Sequence, residues 1–123
     1  MIRGLGIDMV LIHRIERLIQ RFGDRFVQRI FSPREQAHCA RYGKPAQHLA
    51  ARFAAKEAML KALGVPRGLR WHELEVVSSP SGEPRIELCG AAARAATERG
   101  ISALYLSLTH EGDTAAAVVV AEG

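Results

Sequence analysis

Hydrophobic positions in the first ten residues follow the pattern of a strand. The segment Ile2–Val10 is apolar and rich in glycine, and it is too short for an independent helix, so it predicts a first β-strand. Side chains alternate between the two faces of a strand, which places Asp8 on the face that carries Gly4 and Gly6. We therefore expect Asp8 to stand beside a floor without side chains.

Apolar residues between Ile12 and Ile30 recur at the spacing of a helix. Gly23 interrupts this pattern, which predicts two short helices or one kinked helix. The next segment, Ser32–Glu35, combines an N-cap serine with proline at the first helical position and glutamate at the third. It predicts the start of a further helix that runs to about Tyr42.

The longest helical pattern covers Ala46–Leu63, is rich in alanine, and is closed by Gly64. The remaining segments predict a hairpin, a short helix and two closing strands, over residues 69–78, 83–88, 91–99, 104–109 and 115–120. Residues 110–114 are expected to join the last two strands. The predicted fold class is α+β, with a mainly antiparallel sheet packed against a long central helix.

The composition is that of a packed globular domain. Of the 123 residues, 48% are hydrophobic and 24% are charged, which excludes disordered, collagen-like and coiled-coil proteins. A chain of this size buries only about two-thirds of its unfolded surface, so oligomerisation would help to stabilise it. Residues 1–123 are interpreted as one domain.

The two cysteines, Cys39 and Cys89, lie far apart and have no metal-ligand spacing, so we expect reduced, packed thiols. The first residues lack the pattern of a signal peptide, and no apolar stretch approaches the roughly 20 residues of a membrane span. The sequence therefore predicts a soluble, cytoplasmic protein.

Candidate chemistry is concentrated in the alanine-rich helix, where Glu57 precedes Lys61 by one turn and Lys56 falls within an apolar stripe of leucine and phenylalanine. One interpretation is a surface Glu57–Lys61 pair with Lys56 extending to solvent. The other is that a carboxylate and two ammonium groups, against a wall of small side chains, hold a metal and a phosphate.

Asp8 also has two interpretations. An aspartate between a strand and a helix is a good N-cap. Alternatively, Asp8 and Glu57 are two carboxylate ligands of one divalent cation, because two carboxylates with waters and substrate phosphates form the usual shell of Mg²⁺.

Five arginines follow one another at helical spacing and give this region a strong basic charge, within a chain whose net charge is +4. They are Arg14, Arg17, Arg21, Arg25 and Arg29. A solvated helix face is one explanation. Because Phe22 and Phe26 interleave with the arginines, a docking surface for an acidic partner is another, and RNA or DNA would also suit it.

The sequence has no P-loop, GxSxG or HExxH motif, and Gly4-Leu5-Gly6 lacks the third glycine of a dinucleotide fingerprint. His110 stands at the end of a predicted strand, where a histidine is more often a turn residue than a catalyst. Standard ATP-binding, serine-hydrolase, zinc-protease and dinucleotide machinery is thereby excluded.

Three separated blocks together carry a resemblance to a known family. They are Gly6–Val10 with Arg14-Ile15, Arg52–Ala58 with Lys61-Ala62, and Ser107–His110 with Ala115–Ala117. In this order and spacing, the chain resembles the holo-[acyl-carrier-protein] synthases, the short, stand-alone class of 4'-phosphopantetheinyl transferases. The resemblance covers nearly the whole chain.

The resemblance implies an activity and its partners. Members of this family transfer the 4'-phosphopantetheine arm of coenzyme A to a serine of apo acyl carrier protein, in fatty acid biosynthesis, and release adenosine 3',5'-bisphosphate. They need Mg²⁺, and the bacterial members form homotrimers with active sites in the clefts between subunits. On this reading the chain binds neither nucleic acid nor membrane.

The resemblance also implies site residues at matching positions. Asp8 and Glu57 match the metal-binding catalytic acids, and Lys61 matches the catalytic lysine near the pyrophosphate. Arg52 and His110 match residues that line the coenzyme A cleft, whose adenine-side loop begins at Gly64. The residues expected to dock the acidic carrier protein are Arg14, Arg21, Arg25 and Phe26. Glu57 is a candidate general base for the serine proton.

Two other functions remain open from the residues alone. A basic module that binds RNA or an acidic protein without catalysis explains the arginines and leaves Asp8 and Glu57 unexplained. A Mg²⁺-dependent phosphohydrolase would use the same two carboxylates with water as the acceptor.

Overall fold

The change of hydrophobic period after Leu11 marks the boundary between the first strand and the first helix. The computed structural model describes all residues, Met1–Gly123. Its helices are α1 (Ile12–Phe22), α2 (Asp24–Ile30), α3 (Pro33–Ala40), α4 (Pro45–Ala62) and α5 (Gly90–Glu98). Its strands are β1 (Ile2–Leu11), β2 (Leu74–Ser78), β3 (Pro84–Leu88), β4 (Ala103–Glu111) and β5 (Thr114–Glu122), and a 3-10 turn covers Trp71–Glu73.

The strands form two antiparallel sheets. The larger has the order β1-β5-β4, so that the last strand lies in its middle, and β2 pairs only with β3. The register places Asp8 opposite Ala117 and Ile7 opposite Val118. The 18-residue α4 packs across the larger sheet. This confirms the predicted α+β class with antiparallel strands and a long helix.

Two glycines of β1 allow the strand and α4 to touch through their backbones. A Cβ atom added at Gly6 would lie 1.7 Å from the carbonyl oxygen of Ala58, and one at Gly4 would lie 2.1 Å from that of Ala62. The expected floor without side chains is therefore present, and it is the surface on which α4 rests.

The predicted apolar stripe of α4 faces the core, but only half of it is fully buried. Leu49 and Leu63 are buried, whereas Phe53 and Leu60 are partly buried and pack against the core. Alanines form most of the remaining buried surface of the helix, among them Ala50, Ala54, Ala55, Ala58 and Ala62. Small side chains suit this surface because β1 and α4 touch through their backbones.

Several predicted boundaries shift. The third helix begins at the capping box of Ser32 and Glu35 as predicted, but ends at Ala40. The strand predicted from residue 69 begins only at Leu74, because Glu73 Oε1 accepts a hydrogen bond from the backbone of Arg70 at 2.7 Å and closes a 3-10 turn. The last two strands extend to a two-residue turn, so His110 lies within β4.

Candidate active site

Asp8 lies on β1, half-buried, and contacts the helix that carries Glu57 and Lys61. The Nζ atom of Lys61 donates to Asp8 Oδ1 at 3.1 Å and to the backbone oxygen of Ile7 at 2.9 Å. The N-cap position of α1 is Leu11, so the interpretation of Asp8 as a helix cap is wrong. The partner of the Asp8 carboxylate is the ammonium group of Lys61 on α4.

Glu57 is half-buried, and the nearby charge of Asp8 affects its pKa. Burial raises the pKa of the Glu57 carboxyl, the negative charge of Asp8 raises it further, and the positive charges of Lys61 and Arg14 oppose that rise. Two acidic and two basic side chains, from β1, α1 and α4, therefore act on one another at this place. The predicted surface pair of Glu57 with Lys61 is wrong, since Lys61 pairs with Asp8.

The donor set of Asp8 and Glu57 fits a magnesium ion. No group of three or more histidine, cysteine, aspartate or glutamate side chains is placed to hold a metal. Two carboxylates leave coordination positions to waters and phosphate oxygens, which is how Mg²⁺ is usually held. A divalent cation would also relieve the repulsion between the two acids that raises the pKa of Glu57.

Lys56 does not belong to this site, and both interpretations of it from the sequence are wrong. Its side chain is fully buried and forms an ion pair with the fully buried Glu35 at 2.7 Å. The side chain points into the interior because successive helical residues are turned by about 100°. Only one of the two ammonium groups, Lys61, accompanies the carboxylates.

Arg52 borders a large basic cavity. It is only 4% exposed, and its Nε atom has no hydrogen-bond partner. The cavity has a volume of about 530 Å³ and is otherwise lined by side chains of α3 and its C-terminal end and by the β2–β3 hairpin, among them Arg34, His38, Arg41, Tyr42 and Ser79. A buried guanidinium group without an acceptor is costly, and an anionic ligand would satisfy it. Asp8 and Glu57 do not line this cavity.

His110 is linked to the cavity beside Arg52 through the side-chain rings of His48 and Tyr42. Its Nδ1 atom is 2.9 Å from the side-chain amide of Gln47, and its ring meets His48 edge-on. His48 in turn stacks on Tyr42, with ring centroids 3.7 Å apart. Burial and the charge of Arg52 lower the pKa of His48, which favours a neutral imidazole.

The sequence reasoning missed Tyr42, Gln47 and His48 as neighbours of the predicted cleft. His48 precedes Arg52 by one helical turn on α4, so the two side chains had to lie on the same face. That spacing was the available signal. Tyr42 and Gln47 gave none, because Tyr42 reaches His48 across the turn between α3 and α4, and Gln47 reaches His110 on the distant strand β4.

Gly64 ends α4 in a left-handed conformation, with φ at 77°, and Val65 follows at φ 51°. A Cβ atom at Gly64 would lie 2.8 Å from Nη1 of Arg99, so this arginine flanks the loop to which the family resemblance gives the adenine side of the cleft. Arg99 was not predicted as a site residue.

The arginine stripe is divided between two helices. Arg14 and Arg21 lie exposed on α1, and Arg25 lies exposed on α2 beyond the break at Gly23. Phe26 is half-buried. Side chains of both helices and of the 3-10 turn line one cavity of about 430 Å³: Leu18, Phe22, Arg25, Phe26, Arg29, Ile30 and Trp71. The predicted docking residues Arg25 and Phe26 therefore border a common concave surface.

The sequence matches one family over almost its whole length. The model described as "4'-phosphopantetheinyl transferase superfamily" matches residues 4–119. A holo-[acyl-carrier-protein] synthase of Geobacter sulfurreducens is 45% identical to the chain over 124 residues, which cover 99% of this chain and 98% of that protein.

The fold is similar to solved structures of the same kind. The holo-[acyl-carrier-protein] synthase of Neisseria meningitidis gives a TM-score of 0.88 at 40% identity, and each chain is covered completely. The Helicobacter pylori enzyme in complex with coenzyme A gives a TM-score of 0.84 at 35% identity, covering 96% of this chain and 99% of that one. The resemblance found in the sequence is confirmed.

Proposed function

The chain belongs to the 4'-phosphopantetheinyl transferase superfamily, and from that membership we propose that it transfers the 4'-phosphopantetheine arm of coenzyme A to a serine of apo acyl carrier protein. The observation that carries the proposal is the meeting of Asp8, Glu57 and Lys61 at the β1–α4 contact. The product left from coenzyme A is adenosine 3',5'-bisphosphate. The reaction would supply fatty acid biosynthesis.

Asp8 and Glu57 would hold Mg²⁺ through their carboxylate oxygens. When bound, the ion neutralises charge on the diphosphate and polarises its phosphorus–oxygen bonds. Lys61 lies beside Asp8 and is placed to donate to a diphosphate oxygen, where negative charge develops on the leaving group. The ion pair with Asp8 holds its ammonium group in place.

The serine oxygen forms a bond to the phosphorus that carries pantetheine, and the bond from that phosphorus to the bridging oxygen breaks. The electron pair of the broken bond leaves with adenosine 3',5'-bisphosphate. Glu57 accepts the serine proton directly or through a water. A carboxylate can take this role when it lies within hydrogen-bond reach of the serine hydroxyl or of an intervening water.

The basic cavity beside Arg52 supports binding of the phosphorylated nucleotide end of coenzyme A. Its guanidinium group is buried and its Nε atom is unpartnered, so an anionic group would complete its hydrogen bonds. The family resemblance adds His110 and Gly64 as further residues of the coenzyme A cleft. Arg99, next to Gly64, adds a positive charge at that loop.

The experiment that tests the function is incubation with apo carrier protein and coenzyme A, with and without Mg²⁺, followed by mass spectrometry. The proposal predicts that the carrier protein gains the mass of one phosphopantetheine group only when Mg²⁺ is present. A carrier of unchanged mass, with coenzyme A hydrolysed, would indicate the phosphohydrolase. Intact substrates would indicate a binding module.

We also propose that carrier protein docks on α1 and α2 through Arg14, Arg21, Arg25 and Phe26. The exposed guanidinium groups suit an acidic helical partner, and the cavity between the two helices suits its apolar side chains. Arg14 has a second effect, since its charge lowers the pKa of Glu57. Arg25 is therefore the cleaner position for a test.

Arg25→Glu is expected to raise the KM for carrier protein about tenfold and to weaken the dependence of kcat/KM on salt, because a rim charge controls steered association. The KM for coenzyme A is expected to stay unchanged. Arg85→Glu, an exposed charge reversal on β3, is the matched control. A change in the KM for coenzyme A in place of that for carrier protein would refute the docking assignment.

The outer face of the larger sheet supports the homotrimer that the family resemblance implies. On the face of β1 opposite its glycines, three large apolar side chains are 63%, 62% and 67% exposed: Leu5, Ile7 and Met9. Leu5 and Ile7 lie opposite Val120 and Val118 of β5. A continuous apolar face of this kind marks an interaction surface, and we propose that further copies of this chain cover it.

Ile7→Glu is expected to convert the assembly to monomers, since it places a charge in the centre of this face. Light scattering coupled to size exclusion would measure the mass, and transfer activity would fall with the trimer if the clefts lie between subunits. Thr97→Glu, an exposed position on α5 with the same charge change, is the control. A wild-type protein that elutes as a monomer would contradict the proposal.

The organisation of residues 1–123 as a single transferase domain and the cytoplasmic location stay predictions. None of the helices is both long enough and apolar enough to cross a membrane.

A further inference from the structure

The buried ammonium group of Lys56 joins three elements to α4. Its Nζ atom donates to the backbone oxygen of Ile30 at 2.7 Å and to that of Trp71 at 3.1 Å, and it pairs with Glu35 at 2.7 Å. Three donors thus meet three acceptors, each from a different element. The ring of Phe31 lies 5.7 Å from the same nitrogen. The charge is fully satisfied and inaccessible to substrate.

The two residues whose carbonyl groups bond Lys56 also line the concave surface where docking is proposed. Ile30 is the last residue of α2, and Trp71 is the first residue of the 3-10 turn. Both line the 430 Å³ cavity that Arg25 and Phe26 also border. Lys56 therefore fixes two walls of this cavity relative to α4.

Stability alone is a poor explanation for this lysine. A buried ion pair often contributes no more stability than well-packed apolar residues of similar volume. Glu35 already accepts backbone hydrogen bonds from Ser32 at 2.8 Å and from Val76 at 2.9 Å, so the carboxylate has partners of its own. What the ammonium group adds is the tie between α4 and the carbonyls of Ile30 and Trp71.

We propose that Lys56 is a positioning residue. It holds the carrier-docking surface at a fixed distance and orientation relative to Glu57 and Lys61 on the same helix. This inference rests on the proposed function. Glu57 is the next residue along α4, and Lys61 follows one turn later. Transfer requires the serine oxygen within about 3–3.5 Å of phosphorus, and an error of about 1 Å costs on the order of a hundredfold in rate.

The test compares Lys56→Met, Glu35→Gln and the double variant Glu35→Gln/Lys56→Met. Lys56→Met removes the ties to both carbonyls, and the double variant does so without leaving a buried charge unpaired. Glu35→Gln removes the carboxylate charge and keeps the ammonium group beside Ile30 and Trp71. Thermal unfolding, kcat and KM for carrier protein, and coenzyme A affinity by calorimetry are measured for each.

Both Lys56 variants are expected to lower kcat/KM for carrier protein ten- to a hundredfold, by the positional argument above, and to bind coenzyme A as the wild type does. Glu35→Gln is expected to keep the wild-type KM for carrier protein. Normal carrier kinetics in a folded Lys56 variant would overturn the inference, while wild-type transfer would still uphold the function. Should both Lys56 variants fail to fold, a raised KM in Glu35→Gln would overturn it, and an unchanged KM would support it.

Discussion

Asp8→Ala is expected to lower transfer of the phosphopantetheine arm at least about a thousandfold at saturating Mg²⁺, and Glu57→Ala is expected to do the same. Each change removes one of two carboxylates proposed to hold the ion, whose charge stabilisation is worth several kcal/mol, and each 1.36 kcal/mol is tenfold in rate. Asp8 and Lys61 form a partly exposed pair. Its loss is therefore expected to change the free energy of unfolding little.

The double variant Asp8→Ala/Glu57→Ala gives a second measurement of the same site. If both acids act through one ion, the double variant is expected to be no slower than Glu57→Ala alone, because groups that act as a unit are not additive. Glu83→Ala, an exposed acid in the hairpin, is the control. Near wild-type transfer by either single variant would refute the assignment, and multiplied losses in the double variant would indicate separate roles.

Gly6→Ala is expected to destabilise the protein by about 3 kcal/mol, the upper end of the usual cost of overpacking. The added Cβ would lie 1.7 Å from the carbonyl oxygen of Ala58, and a helix backbone cannot move aside as a flexible side chain can. Relief requires β1 to shift away from α4, which also separates Asp8 from Lys61. Transfer activity is therefore expected to fall in the protein that remains folded.

Gly43→Ala is the matched control, since nothing lies within 4 Å of a Cβ at Gly43. Denaturant unfolding of both variants against the wild type measures the difference in the free energy of unfolding. Equal stability of Gly6→Ala and Gly43→Ala would contradict the account of the β1–α4 contact.

Local signals predicted most of the elements. The alternation in β1, the capping box at Ser32 and the interruption at Gly23 each depend on residues a few positions apart, and all three are present in the structure. The placement of Asp8 on the glycine-bearing face followed from the same alternation. These features need no knowledge of distant contacts.

The errors concern side chains whose surroundings come from distant parts of the chain. Nothing near Lys56 in sequence indicates that Glu35, Ile30 and Trp71 surround its ammonium group. Lys61 pairs with Asp8, 53 positions away, in place of Glu57 on its own helix. Helical spacing predicts only neighbours within α4, such as Glu57 for Lys61. The packing of β1 against α4 brings in Asp8, which becomes the partner of Lys61.

The most direct test of the central claim is a crystal structure with coenzyme A and Mn²⁺ in place of Mg²⁺, with the manganese located by its anomalous signal. The account predicts one manganese within coordination distance of Asp8, Glu57 and a diphosphate oxygen. Manganese bound without one of these two carboxylates, or a diphosphate held away from both, would contradict it.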